Sequence, residues 1–267
     1  MDAFDRLIAG VAQDVAARES RLSYREIKAM SKDVTPPRDA YAALSQPGCA
    51  VIAELKRANP NEPLAKIESP ALLARALEGA GARIIACNTE ARAFHGNLHD
   101  VATVRTAISA PVLCRDFIVD PYQIHEARYY GADAMPLVVE ILDQPRLEAL
   151  TDRIESLGML AILQVRTVAD ASRAIAAGAR VVGVEARDLR TGTIDPNIFA
   201  EIAPGLPSET IRVAMSGVKS GRDLMTYAGA GADAVMVGES LVTAEDPSAA
   251  CRRLVTMGLH PACPSVH

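Results

Sequence analysis

The chain has 267 residues, 49% of them hydrophobic, and a formal net charge of -5 at neutral pH. That length and apolar fraction suit one large barrel-type domain with a single extended core. The acidic balance excludes general affinity for nucleic acid or anionic membrane but leaves room for a local basic pocket, and no apolar stretch reaches membrane-spanning length.

The first twenty residues, MDAFDRLIAGVAQDVAARES, carry acids early and an amphipathic pattern. They lack the basic start and apolar core of a signal peptide. A second helical pattern, LSYREIKAMS, runs up to the Pro36-Pro37 break. Residues 1–48 are therefore expected as extra helices packed on the main domain, where they could close one end.

From residue 49 onward one pattern recurs: a helix-like stretch, Gly-Ala, then a β-rich apolar run. Gly81-Ala82, Gly131-Ala132, Gly178-Ala179 and Gly231-Ala232 mark it, with spacings of 50, 47 and 53 residues. A β-α-β unit needs about 30 residues, so these are every second strand of a larger repeat. The intervening strands are expected at residues 50–55, 111–117, 159–165 and 209–215. Eight nearly continuous apolar runs are expected of parallel strands covered by helices. The glycines supply left-handed helix caps. The expected fold class is α/β, a (β/α)₈ TIM barrel with an N-terminal helical extension. It is a single domain over residues 1–267, with the barrel at 49–255 and an unstructured tail at 256–267. A doubly wound open sheet is the alternative that the count of eight disfavours. Pro136 falls inside the fourth run and predicts a bulge or an early end there. The five scattered cysteines, Cys49, Cys87, Cys114, Cys251 and Cys263, form no CxxC pair. They fit neither a disulfide framework nor a zinc site, and the cytoplasm is the expected compartment.

In such a barrel the site lies at the C-terminal strand ends. That rule selects Glu54 and Lys56, Asn88 and Glu90, Arg115 and Asp116, Gln164 and Arg166, Glu185, Arg187 and Asp188, Met215 and Ser216, and Gly238 to Ser240. Glu54 and Lys56 alternate, so their side chains share one side, and a buried lysine beside a carboxylate is costly unless paired or used. Ser216-Gly217 and Gly238-Glu239-Ser240 follow the last two strands, where glycine lets backbone N–H groups approach a phosphate. Their bland alternative is a pair of ordinary strand-to-helix turns.

Four segments, VIAELKRANP, PVLCRDFIVDPYQIHEARYYGADA, GVEARDLRT and VGESL, together resemble the indole-3-glycerol phosphate synthase family. Its usual forms are VIAE-x-KR-x-SP, PVL-x-KDFI-x-D-x-YQ-x-x-EAR-x-x-GADA, G-x-NNRDL-x-T and VGESL. LGMLAILQV and NTEARAFHGNLHDVATVR also align, and the resemblance spans residues 51–241. It implies a decarboxylating lyase of tryptophan biosynthesis that closes a carboxyphenylamino deoxyribulose phosphate with loss of CO₂ and water. It further implies no metal or organic cofactor and a small phosphorylated substrate as the only partner. No signal for an oligomeric state is present.

Carried over by position, the resemblance implies catalytic roles at Glu54, Lys56, Arg115, Gln164 and Glu185. Substrate contacts fall at Asn59, Glu90, Arg187 and Met215, and phosphate contacts at Ser216, Gly217, Gly238, Glu239 and Ser240. Glu54, Lys56, Arg187, Ser216 and Gly238 match the family pattern. Arg115 stands where the family has its general-acid lysine, Gln164 where it has a second acid/base glutamate, Glu185 for an asparagine and Met215 for a glutamate. The loop Asn59-Pro60-Asn61-Glu62 replaces a serine and small residues. Arginine keeps the charge but holds its proton, and glutamine cannot titrate. Lys56 is then the expected proton donor and Glu185 the replacement carboxylate. Three activities fit this pattern: the synthase reaction, a paralogue in specialised metabolism acting on another phosphorylated sugar adduct, and a non-catalytic phosphate-binding barrel.

Overall fold

A computed structural model of the chain describes residues 2–60 and 62–263. Eight parallel strands form a closed barrel: β1 Ala50–Leu55, β2 Ile84–Asn88, β3 Val112–Arg115, β4 Ala134–Val138, β5 Leu160–Val165, β6 Val181–Glu185, β7 Ile211–Met215 and β8 Ala234–Val237. Closure is explicit in the register, since β1 pairs with β8 through Ala50↔Ala234 and with β2 through Ile52↔Ile84. That rules out the open sheet. The four repeat glycines have φ between +80 and +101, as their cap role requires.

The outer ring begins with α4 Pro70–Gly79, α5 His99–Ala107, α6 Pro121–Tyr129 and α7 Gln144–Ser156. It continues with α8 Val168–Ala176, α9 Asn197–Ile202, α10 Gly221–Gly229, the short α11 Glu239–Val242 and α12 Pro247–Gly258. Strand alternation divides the core in two. Ile52, Ile84, Leu113, Ile162, Val213 and Met236 fill the barrel interior, while Val51, Ile85, Leu163, Val182 and Val235 pack outward under the helices. Each face is apolar because each is covered.

Pro136 does not end its strand: β4 continues to Val138 and pairs with β5 over all five residues. The expected disruption falls on the other edge, where the pairing with β3 is reduced to Leu113↔Ala134. A proline lacks the ladder donor, and here the loss is confined to one neighbour.

The N-terminal extension covers both ends of the barrel. α1 (Ala3–Glu19) starts with a capping box in which Asp2 accepts from the Asp5 N–H. It crosses the C-terminal strand ends, with the Phe4 ring 5.8 Å from Phe117 and Arg18 bonded to Glu126 at 2.9 Å. α2 (Tyr24–Met30) packs on α6. α3 (Ala40–Leu44) joins Leu44 to the interior cluster at the opposite end. At the C-terminus α12 runs to Gly258, past the expected boundary at residue 255, and the Gly258 carbonyl accepts the Cys49 N–H at 2.9 Å. The expected tail is partly folded, because residues 260–263 turn back and bury Cys263. Residues 264–267 of that tail, and Asn61 of the loop after β1, lie outside the described residues. Among the described residues no helix is long and apolar enough to cross a membrane.

Candidate active site

Glu54 near the end of β1 and Lys56 just after it are both buried, at 3% and 7% exposure. Arg115, the last residue of β3, lies between two carboxylates: its Nε is 3.5 Å from Glu54 Oε1 and its Nη2 donates to Glu185 Oε2 at 3.1 Å. Glu185 is fixed in turn by the Arg187 N–H, which donates to Oε1 at 3.0 Å. Nη1 of Arg115 is turned to the Met236 sulfur, a weak acceptor, and has no oxygen partner among the described residues. Two carboxylates thus face three cations, Lys56, Arg115 and Arg187, so this end of the barrel suits an anionic ligand.

The electrostatics separate the two basic side chains. Burial depresses the Lys56 ammonium, and Arg115 and Arg187 add to this, outweighing the pull of Glu54 and Glu185. Burial would also lower Arg115, but Glu54 and Glu185 raise it above the ordinary guanidinium range. The Glu54 carboxyl is pushed up by burial, yet Arg115, Lys56 and Asn88 hold it below its usual value. Lys56 is therefore the cation of the pair able to release a proton, while Arg115 is a fixed charge. Burial also raises Asp116, against the Thr89 hydroxyl and Phe117 N–H that bond it, to about 6.

Two connected spaces open here. The outer cavity, of about 500 Å³, runs from Lys56 and Arg115 to the loops after β7 and β8. A small inner pocket of about 30 Å³ shares Lys56, Arg115, Arg187 and Ser216 with it, and is walled by Asn88, Glu90, Phe94 and Gln164. Lys56 Nζ sits 5.2 Å from the centre of the Phe94 ring.

The far end of the cavity is a cradle of backbone. Ser216 and Gly217 are consecutive left-handed residues, with φ of 66 and 83. Ser240 Oγ donates to the Val218 carbonyl at 2.9 Å, tying the loops after β7 and β8 together. A Cβ on Gly238 would lie 2.4 Å from Glu54 Oε2, so glycine there lets the β8 loop close against the Glu54 carboxylate. Glu239 accepts from Asn59 Nδ2 at 3.0 Å and from Arg187 Nη2 at 3.1 Å, while Arg187 Nε is buried without a partner among the described residues.

A family model for indole-3-glycerol phosphate synthase matches residues 4–254. The indole-3-glycerol phosphate synthase of Mycobacterium sp. (strain KMS) is 57% identical over 261 residues, covering 97% of this chain and 96% of the relative. The chain belongs to the indole-3-glycerol phosphate synthase family. The synthase of Mycobacterium leprae (strain Br4923) is 56% identical over the same shares of both chains. Among solved structures, a thiamine phosphate pyrophosphorylase from Pyrococcus furiosus has a TM-score of 0.60 at 18% identity, over 78% of this chain and 94% of that one. That likeness bears on the fold alone.

Most of the positions expected from the family pattern meet in this one place. Glu54, Lys56, Arg115 and Arg187 line the outer cavity with Ser216, Gly217, Gly238, Glu239 and Ser240, and Gln164 and Glu185 line the inner pocket. Three expected substrate contacts are differently employed. Glu90 accepts the N–H groups of Arg92, Ala93 and Phe94 at 2.7–3.1 Å, so its carboxylate shapes the loop that carries Phe94. Met215 lines neither space; it is packed in the interior, where a Cβ on Gly183 would fall 2.4 Å from its terminal methyl. Asn59 lies behind Glu239 and reaches Glu62 at 3.3 Å. The sequence reasoning missed Phe94, Met236 and Tyr227, whose Oη donates to the Ser216 carbonyl at 3.3 Å. For Met236 a signal existed, since it alternates with Gly238 and must share its face.

Proposed function

We propose that this chain closes the pyrrole ring of indole-3-glycerol phosphate from a carboxyphenylamino deoxyribulose phosphate. The observation that carries the proposal is a single depressed amine, Lys56, buried beside a fixed guanidinium and across from a glycine-lined cradle. It stands in a chain of this family matched nearly end to end.

The substrate phosphate occupies the cradle of Ser216, Gly217, Gly238, Glu239 and Ser240, with Arg187 Nε as a further donor. The ring carbon bearing the carboxylate attacks the open-chain carbonyl, and the carbonyl oxygen takes the Lys56 proton as the C–C bond forms. Nη1 of Arg115 holds the anionic end of the substrate without titrating. The C–CO₂ bond then breaks and its electrons restore the aromatic ring. The new hydroxyl departs as water on a second protonation from Lys56, recharged from solvent. The neighbouring methylene proton passes to Glu185. The five cysteines, all buried and none joined in a disulfide, fit a reducing cytoplasm.

A turnover assay with the carboxyphenylamino substrate, followed by indole fluorescence, tests the reaction. Turnover well above the uncatalysed rate is expected, and tight substrate binding with no product would overturn the assignment.

One observation favours a second activity, the closure of a different phosphorylated sugar adduct. Arg115, Glu185 and Glu54 form a closed charge cluster, and Gln164 beside it cannot titrate. Lysine in place of Arg115 could pair only one carboxylate at a time, so the informative variant is the triple change Arg115→Lys, Gln164→Glu, Glu185→Asn. A gain in synthase turnover by that protein supports the second activity, and a loss supports the first.

A further inference from the structure

Asn88, the last residue of β2, is 5% exposed and stands on the wall of the inner pocket. By strand alternation it shares the inward face of Ile84 and Ala86. Its amide orientation is set by its neighbour. Glu54 is held ionised by Arg115 and Lys56, and an ionised carboxylate can only accept hydrogen bonds. The NH₂ of Asn88 therefore faces Glu54, donating to Oε1 at 3.3 Å. The amide oxygen points the other way, buried and without a partner among the described residues. A buried acceptor left unmade costs free energy comparable to the desolvation of that group. The Gln164 side chain lines the same pocket.

The inner pocket those residues line opens into the outer cavity through Lys56, Arg115, Arg187 and Ser216, and its remaining wall includes the apolar side chains Phe94, Phe117, Pro136, Val138 and Leu189. That apolar wall suits an aryl ring, which leaves the polar edge at Asn88 for the chain attached to the ring. We propose that Asn88 is a specificity-determining contact, its amide oxygen accepting a hydrogen bond from a hydroxyl of the sugar chain of the substrate. The inference rests on the phosphorylated anilino-sugar substrate proposed above and names the residue that distinguishes its polyol chain from a plain alkyl one. Glu54 thereby has a second function: besides balancing Lys56 and Arg115, it orients the amide that reads the chain.

Two non-reacting ligands test this without requiring turnover. One is 1-anilino-1-deoxyribitol 5-phosphate, and the other is 5-anilinopentyl phosphate, which lacks the three chain hydroxyls. Titration calorimetry on the wild type should show the polyol bound more tightly. Asn88→Leu, nearly the same size, should shrink that preference by roughly tenfold or more while leaving the pentyl ligand within about twofold. Asn88→Ala gives the same readout if the leucine variant does not fold. Equal loss of both ligands would show that Asn88 only supports Glu54, and an unchanged preference would show that the hydroxyl is read elsewhere; either result overturns the inference while leaving the proposed reaction standing. Failure of the wild type to bind either ligand overturns the substrate class and the inference together.

Discussion

At the N-terminal end of the barrel, Asp133 accepts hydrogen bonds from the Arg38 N–H, the Val112 N–H and Arg105 Nη1, each at 2.7 Å. At the C-terminal end, Glu54 and Glu185 share one guanidinium, and the Asn88 oxygen and Arg187 Nε have no partner among the described residues. Both sets of groups are buried. The first is saturated by donors that belong to the fold, so its charge serves cohesion. The second is left short in the wall of the cavities, where a ligand can complete it. The same barrel thus carries a closed polar end and an open one.

Substitution at each end should break different properties. The largest effect is expected from Lys56→Met, which removes the buried ammonium that its surroundings depress. Turnover should fall by about 10²–10⁴-fold, with folding stability changed little or increased, because a buried ammonium is costly to desolvate. Steady-state kinetics and denaturant unfolding on the same preparation measure both; near-normal turnover would place the acid elsewhere. Asp133→Ala should do the reverse. Removing the acceptor leaves Arg105 and two backbone donors uncompensated, a loss of about 3–5 kcal/mol of stability. Turnover per folded molecule should persist, and a selective loss of activity would refute the division between the ends.

The closed end was half legible in the sequence. The Gly-Ala repeats announced the even strands, yet the same repeats read Gly-Ala-Asp at residues 131–133 and 231–233. Asp133 binds the Val112 N–H and Asp233 binds the Arg212 N–H, in both cases 21 positions upstream. In these two of the four repeats the acid stitches the even strand to the strand before it, while the other two carry Arg83 and Arg180 at that place. Spacing alone could not reveal that, because the partner N–H is brought near only by closure of the barrel. At the open end, residue types at strand ends marked Glu54, Lys56, Arg115, Gln164 and Glu185. What they could not convey is occupancy: that Arg115 neutralises both glutamates, that Glu90 is spent on its own loop, or that Met215 is interior packing. Those depend on side-chain directions across strands far apart in sequence.

The proposed phosphate cradle sharpens the contrast, since it is made of backbone rather than side-chain charge. Gly217 has φ +83, and a Cβ there would lie 3.0 Å from Tyr227 Oη. Gly217→Asp adds backbone strain, crowding and a negative charge at once. Affinity for sugar phosphates should drop by roughly tenfold or more, the equivalent of about 1.4 kcal/mol. Calorimetry on both proteins is the check, and equal affinities would remove the cradle from the phosphate site.

The smallest effect comes from the flank, where the packing of the N-terminal extension is itself titratable. His125 on α6 is 1% exposed, with Nδ1 2.9 Å from Ser31 Oγ and its ring edge-on to Tyr24. Burial lowers its pKa from 6.5 to about 4, and Arg153, Lys28 and Lys32 push in the same direction. Below pH 6.5 the unfolded chain therefore takes up a proton at this residue that the folded chain refuses until about pH 4. The contribution is fully present above pH 6.5 and drains away as the pH falls through that window, by about 1 kcal/mol between pH 7.5 and 5.5. Asp116, raised to about 6, has the opposite sign, because its folded carboxyl binds a proton before the unfolded one does. The test is thus a difference between two proteins. His125→Gln can still bond Ser31 but cannot titrate, and it leaves Asp116 untouched. Its unfolding free energy should decline less than that of the wild type on acidification, by that same margin of about 1 kcal/mol. Turnover at pH 7.5 should be unchanged, since His125 touches neither cavity. Parallel stability curves would mean that the extension docks on the barrel without a protonation cost, and that acid sensitivity in this protein arises at the open end alone.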